Sequence, residues 1–241
     1  MRDLPDYTRQ VTIRYEGGFI GLEELAARLG SIAPFNLQGN IVLMEDFESE
    51  LTEWVDGSES TCTATRSSRH KFSGDWSLKL FNPSSAGGAN AKLYRYLSFQ
   101  GVCKYAVFAR FGQAINIHTR WLKITLDSGT KKYTAEVAYG IETATLSIIT
   151  TDGAYHNVDT GYFFGTAFGE WHTILVTFDL GTGYYDKLYI DDKEYDISDV
   201  PLYSEDTTTV LWGYIETGAW AQSEGDISSY VDDIIIAKNV P

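Results

Sequence analysis

Cysteine is nearly missing from this chain: Cys62 and Cys103 are the only two in 241 residues. Two thiols are too few for a disulfide framework, and their spacing fits no metal motif. They could pair across neighbouring strands, but the preferred reading is two small buried residues, because free cysteine packs as a core hydrophobe. Positive charge is scarce as well. Nineteen Lys and Arg face 33 Asp and Glu, leaving a net charge of −14. Such a field repels phosphate backbones and argues against nucleic-acid partners. No apolar run approaches the roughly 20 residues of a membrane helix, so no membrane insertion is expected. The first ten residues, MRDLPDYTRQ, lack the apolar stretch of a signal peptide. The expected location is therefore extracellular after removal of a signal, or a virion assembled without export.

Catalytic motifs are also missing. His70, His118, His156 and His172 are scattered and none sits in a His-Glu-x-x-His spacing. No Gly-x-Ser-x-Gly elbow or phosphate loop occurs. There is no internal repeat or low-complexity segment, and the Asn82-Pro83 step removes a glycosylation sequon.

What the chain does have is aromatic and β-forming residues: 16 Tyr, 12 Phe and 6 Trp, within 44% hydrophobic content. These suit half-buried sheet surfaces and leave aromatic faces for stacking on sugars. Residues 1–40 read as an arm and one short helix. Leu22, Leu25 and Leu29 keep helical spacing, Glu23 and Glu24 sit in the first turn, Arg28 in the last, and Gly30 ends it. That leucine stripe needs cover, either from its own domain or from another subunit. Residues 41–241 read as a β-sandwich. Strands are expected at 40–47, 60–66, 75–81, 91–99, 102–112, 116–127, 131–139, 143–150, 171–180, 185–191, 207–217 and 229–238. The expected core includes Phe47, Leu78, Leu80, Val107, Ile124, Ile174, Val176, Phe178 and Ile235.

Residues 170–198, EWHTILVTFDLGTGYYDKLYIDDKEYDIS, carry a first resemblance. His172, Ile174, Val176 and Phe178 alternate with Trp171, Thr173, Leu175 and Thr177, the period of a strand with one buried face. The chain turns at Leu180-Gly181-Thr182-Gly183 and again at Asp191-Asp192-Lys193. The segment resembles the laminin-G and concanavalin A-like lectin pattern, a Trp-His-x-hydrophobic strand before a Leu-Tyr-Ile-Asp-x-Lys hairpin. Asp192 replaces the usual glycine. A second resemblance lies in Met44-Glu45-Asp46-Phe47-Glu48, Trp54, residues 73–80 (SGDWSLKL) and residues 230–236 (YVDDIII). These are similar to the opening and closing strands of carbohydrate-binding-module jelly rolls. The resemblances imply an all-β, concanavalin-like jelly-roll sandwich whose first and last strands pair. They leave a galactose-binding-like topology open.

Modules of this type often hold a structural calcium near those strands, and Glu48, Asp232 and Asp233 occupy matching places. The alternative is that these acids are solvated or bond backbone amides. For glycan binding, the expected residues are Trp212, Tyr214 and Glu216 on one strand face, Trp121 with Lys123 and Thr119 on another, and Trp220 in the following loop. The alternative for each tryptophan is the core between the sheets. The nearest approach to a glucanase catalytic strand is Glu194-Tyr195-Asp196, and its final acid is missing.

Together these observations lead to the expectation of a non-enzymatic structural or adhesion sandwich. Residues Leu22 to Ser31 before the sandwich are similar to leaders of phage-like particle surface proteins. This implies a decoration or tail-associated role, with assembly into a homo-oligomer or with other particle subunits, and with glycans as further partners. The alternative is a carbohydrate-binding module of an extracellular polysaccharide-degrading system. A glycoside hydrolase or lyase ranks behind both.

Overall fold

The computed structural model describes residues 39–83, 88–98, 100–112, 119–140, 143–162, 170–208, 211–220 and 226–240. The arm, the helix and the assembly residues Leu22, Leu25 and Leu29 lie outside these. Strands are numbered β1 to β16 in chain order, and among the described residues there is no helix. Among the described residues, two eight-stranded antiparallel sheets face each other. Sheet I runs β13 (Lys193–Asp196), β12 (Tyr184–Ile190), β11 (Trp171–Asp179), β6 (Lys104–Gly112), β16 (Ile227–Lys238), β4 (Ser77–Asn82) and β3 (Thr63–Ser67), and β1 (Asn40–Glu45) also pairs with β16. Sheet II runs β10 (Tyr155–Asp159), β9 (Thr145–Ile149), β8 (Lys131–Gly140), β7 (Thr119–Asp127), β15 (Trp212–Trp220), β5 (Asn90–Leu97) and β2 (Val55–Asp56), with β14 (Tyr203–Asp206) on β8. First and last strands pair, Asn40 opposite Lys238, as the module-like ends imply. The architecture is the expected all-β jelly-roll sandwich.

The core follows from alternation. On β6, Tyr105, Val107, Ala109 and Phe111 point between the sheets, as do Leu122, Ile124 and Leu126 on β7 and Ile174, Val176 and Phe178 on β11. Eight of the nine expected core residues belong to this cluster. Ile235 does not. It is buried, but with Ala106, Phe108, Leu175, Ala237 and Val240 on the other face of sheet I. The cause is a bulge in β16. Asp233 takes a left-handed backbone (φ 49), and the pairing with β6 slips between Asp232 and Ile235. One extra residue exchanges the two faces beyond it, so Ile234 and Ile236 enter the core instead.

Both expected hairpins form. Ile190 pairs with Lys193 across the Asp191-Asp192 turn, with Asp191 at φ 52. Asp191 also receives bonds from the Thr173 amide and Tyr162 hydroxyl, and its Oδ2 lies 2.8 Å from His172 Nδ1. That holds the strand-end histidine in a structural contact. Cys62 and Cys103 are both free thiols, Cys62 buried and Cys103 half-buried.

Candidate functional site: the outer face of sheet II

On β15, Ile215, Thr217 and Ala219 face the core, so Trp212, Tyr214, Glu216, Gly218 and Trp220 share the opposite face. Register then sets their neighbours. Glu216 pairs with Tyr94 on β5 and with Lys123 on β7, and Lys123 pairs with Glu136 on β8. One straight row therefore reads Tyr94, Glu216, Lys123, Glu136. The adjoining row carries Tyr96, Tyr214, Thr125 and Thr134.

The aromatic rings form a continuous platform. Trp212 and Tyr214 stack with centroids 5.5 Å apart and planes 13° from parallel. Tyr94 meets Tyr214 edge-on at 6.2 Å, and Tyr96 meets Trp212 at 6.5 Å. Together with Glu216 they line a shallow cleft of about 190 Å³. That is below the roughly 300–1,000 Å³ of enclosed ligand pockets, and it suits a single ring lying on an open surface. Tyr96 is 63% exposed, so the platform is open to solvent at this ring.

Polar groups at the edge of the platform are firmly held. Glu216 Oε1 accepts from Trp121 Nε1 at 2.9 Å and from Lys123 Nζ at 2.9 Å. Trp121 reaches it because Gly218 has no side chain: a Cβ there would sit 2.1 Å from the indole ring. Burial works against the Lys123 ammonium, yet Glu216 beside it more than offsets this, so the amine titrates above the usual lysine value. Across the row, Tyr155 donates its hydroxyl to Glu136 Oε1. Burial pushes the Glu136 carboxyl above the ordinary glutamate range, against that hydrogen bond and Lys123. A second cleft, about 480 Å³, is lined by Lys104, Asp179, Thr182, Tyr184, Tyr185, Asp186 and Ser198. Lys104 there is paired with Asp186 at 3.1 Å.

Of the expected glycan residues, Trp212, Tyr214, Glu216 and Trp121 come together on this face. Trp220 shares the face but stands at the end of β15, opposite Thr119 and Asn90, about 13 Å along the strand from Glu216. The tryptophans of the platform are thus outside the core. Tyr94, Tyr96, Glu136 and Tyr155 were missing from the sequence-derived set. The alternation Tyr94-Arg95-Tyr96 was the signal for the first two.

The three acids expected to hold calcium are otherwise engaged. Glu48 Oε1 accepts the amides of Asp75 and Trp76, both at 2.8 Å. Asp232 Oδ2 accepts the amides of Phe72 and Ser73 at 3.0 and 3.3 Å. Asp233 forms a buried ion pair with Arg110 and accepts from Ser73 Oγ. Among the described residues no group of three His, Cys, Asp or Glu side chains gathers to hold a metal ion. As arranged, these acids do not fit a calcium cage. Backbone amides and a guanidinium take the places a cation's attraction would fill. Glu194 and Asp196 lie on the edge strand β13, where Glu194 pairs with Lys187.

No family model matches the chain, and no curated protein matches its sequence. Its fold is similar to solved structures. An endo-β-1,4-glucuronan lyase from the fungus Trichoderma reesei aligns over 83% of this chain and 96% of its own, at 13% identity and a TM-score of 0.55. A Bacillus licheniformis β-glucanase aligns over 84% and 100%, at 17% identity and a TM-score of 0.50. A sialidase aligns over 83% of this chain but only 19% of its own, at 12% identity and a TM-score of 0.51. These likenesses establish a concanavalin-like jelly roll. They also correct the expectation of a non-enzymatic protein. The lyase and the glucanase are enzymes built on this sandwich, so a missing catalytic signature in the sequence is no ground for excluding catalysis. None of the three names supports the expected particle-surface role.

Proposed function

We propose that this protein is a carbohydrate-active β-sandwich that takes a glycan across the outer face of sheet II. The observation that carries this reading is the platform of Tyr94, Tyr96, Trp212 and Tyr214 beside the anchored Glu216 carboxylate. A pyranose ring has an apolar face of C–H groups and a rim of hydroxyls. Stacked aromatics match the face, and a carboxylate with tyrosine hydroxyls matches the rim. The names of the lyase and the β-glucanase add support at the level of fold. Affinity electrophoresis in polysaccharide gels tests it. Trp212→Ala should weaken retardation at least tenfold while leaving the melting temperature within a few degrees. Equal retardation of wild type and variant would overturn the reading.

A second reading rests on the Glu216–Lys123–Glu136 row. Its outer residues sit two strands apart, so their Cα atoms are about 10 Å from each other, within reach of the carboxyl separation of about 6.5–9.5 Å used by inverting glycosidases. Glu136, whose carboxyl burial pushes above the ordinary glutamate range, would protonate the leaving oxygen, and Glu216 would take the proton of an attacking water. Release of reducing ends from a polysaccharide the protein binds, lost in Glu136→Gln, is the expected result. Binding without any release would remove hydrolysis from the account.

A further inference from the structure

Resting on the glycan reading, the side chains of the cleft bear on which glycans it would take. Both protein donors to Glu216, Trp121 Nε1 and Lys123 Nζ, converge on Oε1. Its other oxygen, Oε2, receives no hydrogen bond from a described residue, and Glu216 lines the cleft. The oxygen left for a ligand is therefore a carboxylate oxygen that accepts hydrogen bonds and donates none. It suits a sugar hydroxyl, which donates, and opposes a sugar carboxylate, which cannot.

The cleft is lined by four aromatic side chains and this one carboxylate, with no Lys, Arg or His among them. The Lys123 ammonium is engaged on Glu216 Oε1 and does not line the cleft. The whole chain adds a net charge of −14, a field that repels a polyanion before contact.

We propose that the cleft selects neutral glycans over uronic-acid glycans, with Glu216 as the residue that sets this preference. The lyase of similar fold is named for glucuronan, a uronic-acid polymer. The preference proposed for this chain is the opposite, and it comes from its own side chains. Replacing Glu216 by Gln keeps an acceptor for the Trp121 indole and removes the repelling charge. It also leaves the Lys123 ammonium without its partner, free to attract a uronate.

Matched polymers test the proposal: starch, mixed-linkage β-glucan and β-galactan, each used untreated and after oxidation of C6 to the carboxylate. Binding is read by affinity electrophoresis of the full chain. The wild type should bind at least one neutral polymer at least tenfold more tightly than its oxidised form. Raising salt from 20 to 500 mM should shrink that ratio by tightening uronate binding relative to neutral binding, since screening weakens the repulsion. Glu216→Gln should bring the ratio to about threefold or less. Wild-type binding to an oxidised polymer as tight as to its neutral parent would overturn the preference. If Trp212→Ala then lost both, the glycan site itself would stand. Failure of the wild type to bind any of the six, or binding indifferent to Trp212→Ala, would overturn both readings. The salt arm needs no variant, so it tests whether charge underlies the preference even if Glu216→Gln folds poorly.

Discussion

At the scale of single residues, the most unusual environment is the buried trio Arg110, Asp232 and Asp233, each at most 1% exposed. Arg110 lies under the Phe72 ring, 3.8 Å from its centroid, and pairs with Asp233. Removing the guanidinium would strand a buried carboxylate. Arg110→Met should cost about 3–5 kcal/mol in urea unfolding, and adding Asp233→Leu should recover much of that loss. Asp232 has a different role. Burial first, and then the Asp233 charge, raise its pKa from 3.8 to about 8. The folded state thus holds this proton more tightly than the unfolded chain does. The stability gained is complete below about pH 4 and is lost as pH rises through about 8. Asp232→Asn should melt lower throughout but lose less stability than the wild type between pH 5 and 8, as scanning calorimetry would show. The sequence made these acids look like cation ligands because it displays carboxylates in a row. It does not display Arg110, which reaches Asp233 from 123 positions away.

At the scale of elements, alternation exposed most strands but not all. Tyr155–Asp159, Lys193–Asp196 and Tyr203–Asp206 are short and largely unburied, so they have no apolar face for a pattern to reveal. The strand expected at 207–217 begins only at Trp212 and continues to Trp220. Thr207 instead donates its hydroxyl to Asp127. Ile235 was misplaced because a left-handed residue cannot be read from alternation. The site was half legible for a related reason. Residues on one strand declare their common face, whereas the row through Tyr94, Lys123 and Glu136 depends on inter-strand register. Within β15, Gly218 shows how one missing side chain supports a site. Gly218→Ala must displace the Trp121 indole and so disturb the anchoring of Glu216. Glycan binding should fall by about tenfold, and tryptophan emission should shift towards that of a wetter indole, with the β-sheet circular dichroism unchanged.

At the scale of the whole molecule, the two sheets assign different tasks to their outer faces. Sheet II leaves its platform open. Sheet I keeps Phe108, Ile235 and Ala237 covered on its outer side. Sheet edges are blunted: β13 carries Lys193, Glu194 and Asp196, and β2 is two residues long, features that discourage edge-to-edge pairing. The two ends of the sandwich meet in sheet I, where Asn40 lies opposite Lys238 and Glu45 opposite Ile234. The chain enters β1 and leaves β16 at the same end of an antiparallel pair. Tension between the entry and exit points therefore loads the ladder one rung at a time, and the bonds open in sequence. An optical trap gripping residues 39 and 240 should peel β1 away at low force before the rest yields. The same sandwich gripped at residues 39 and 152 should resist more, because that pull must drag packed strands past one another.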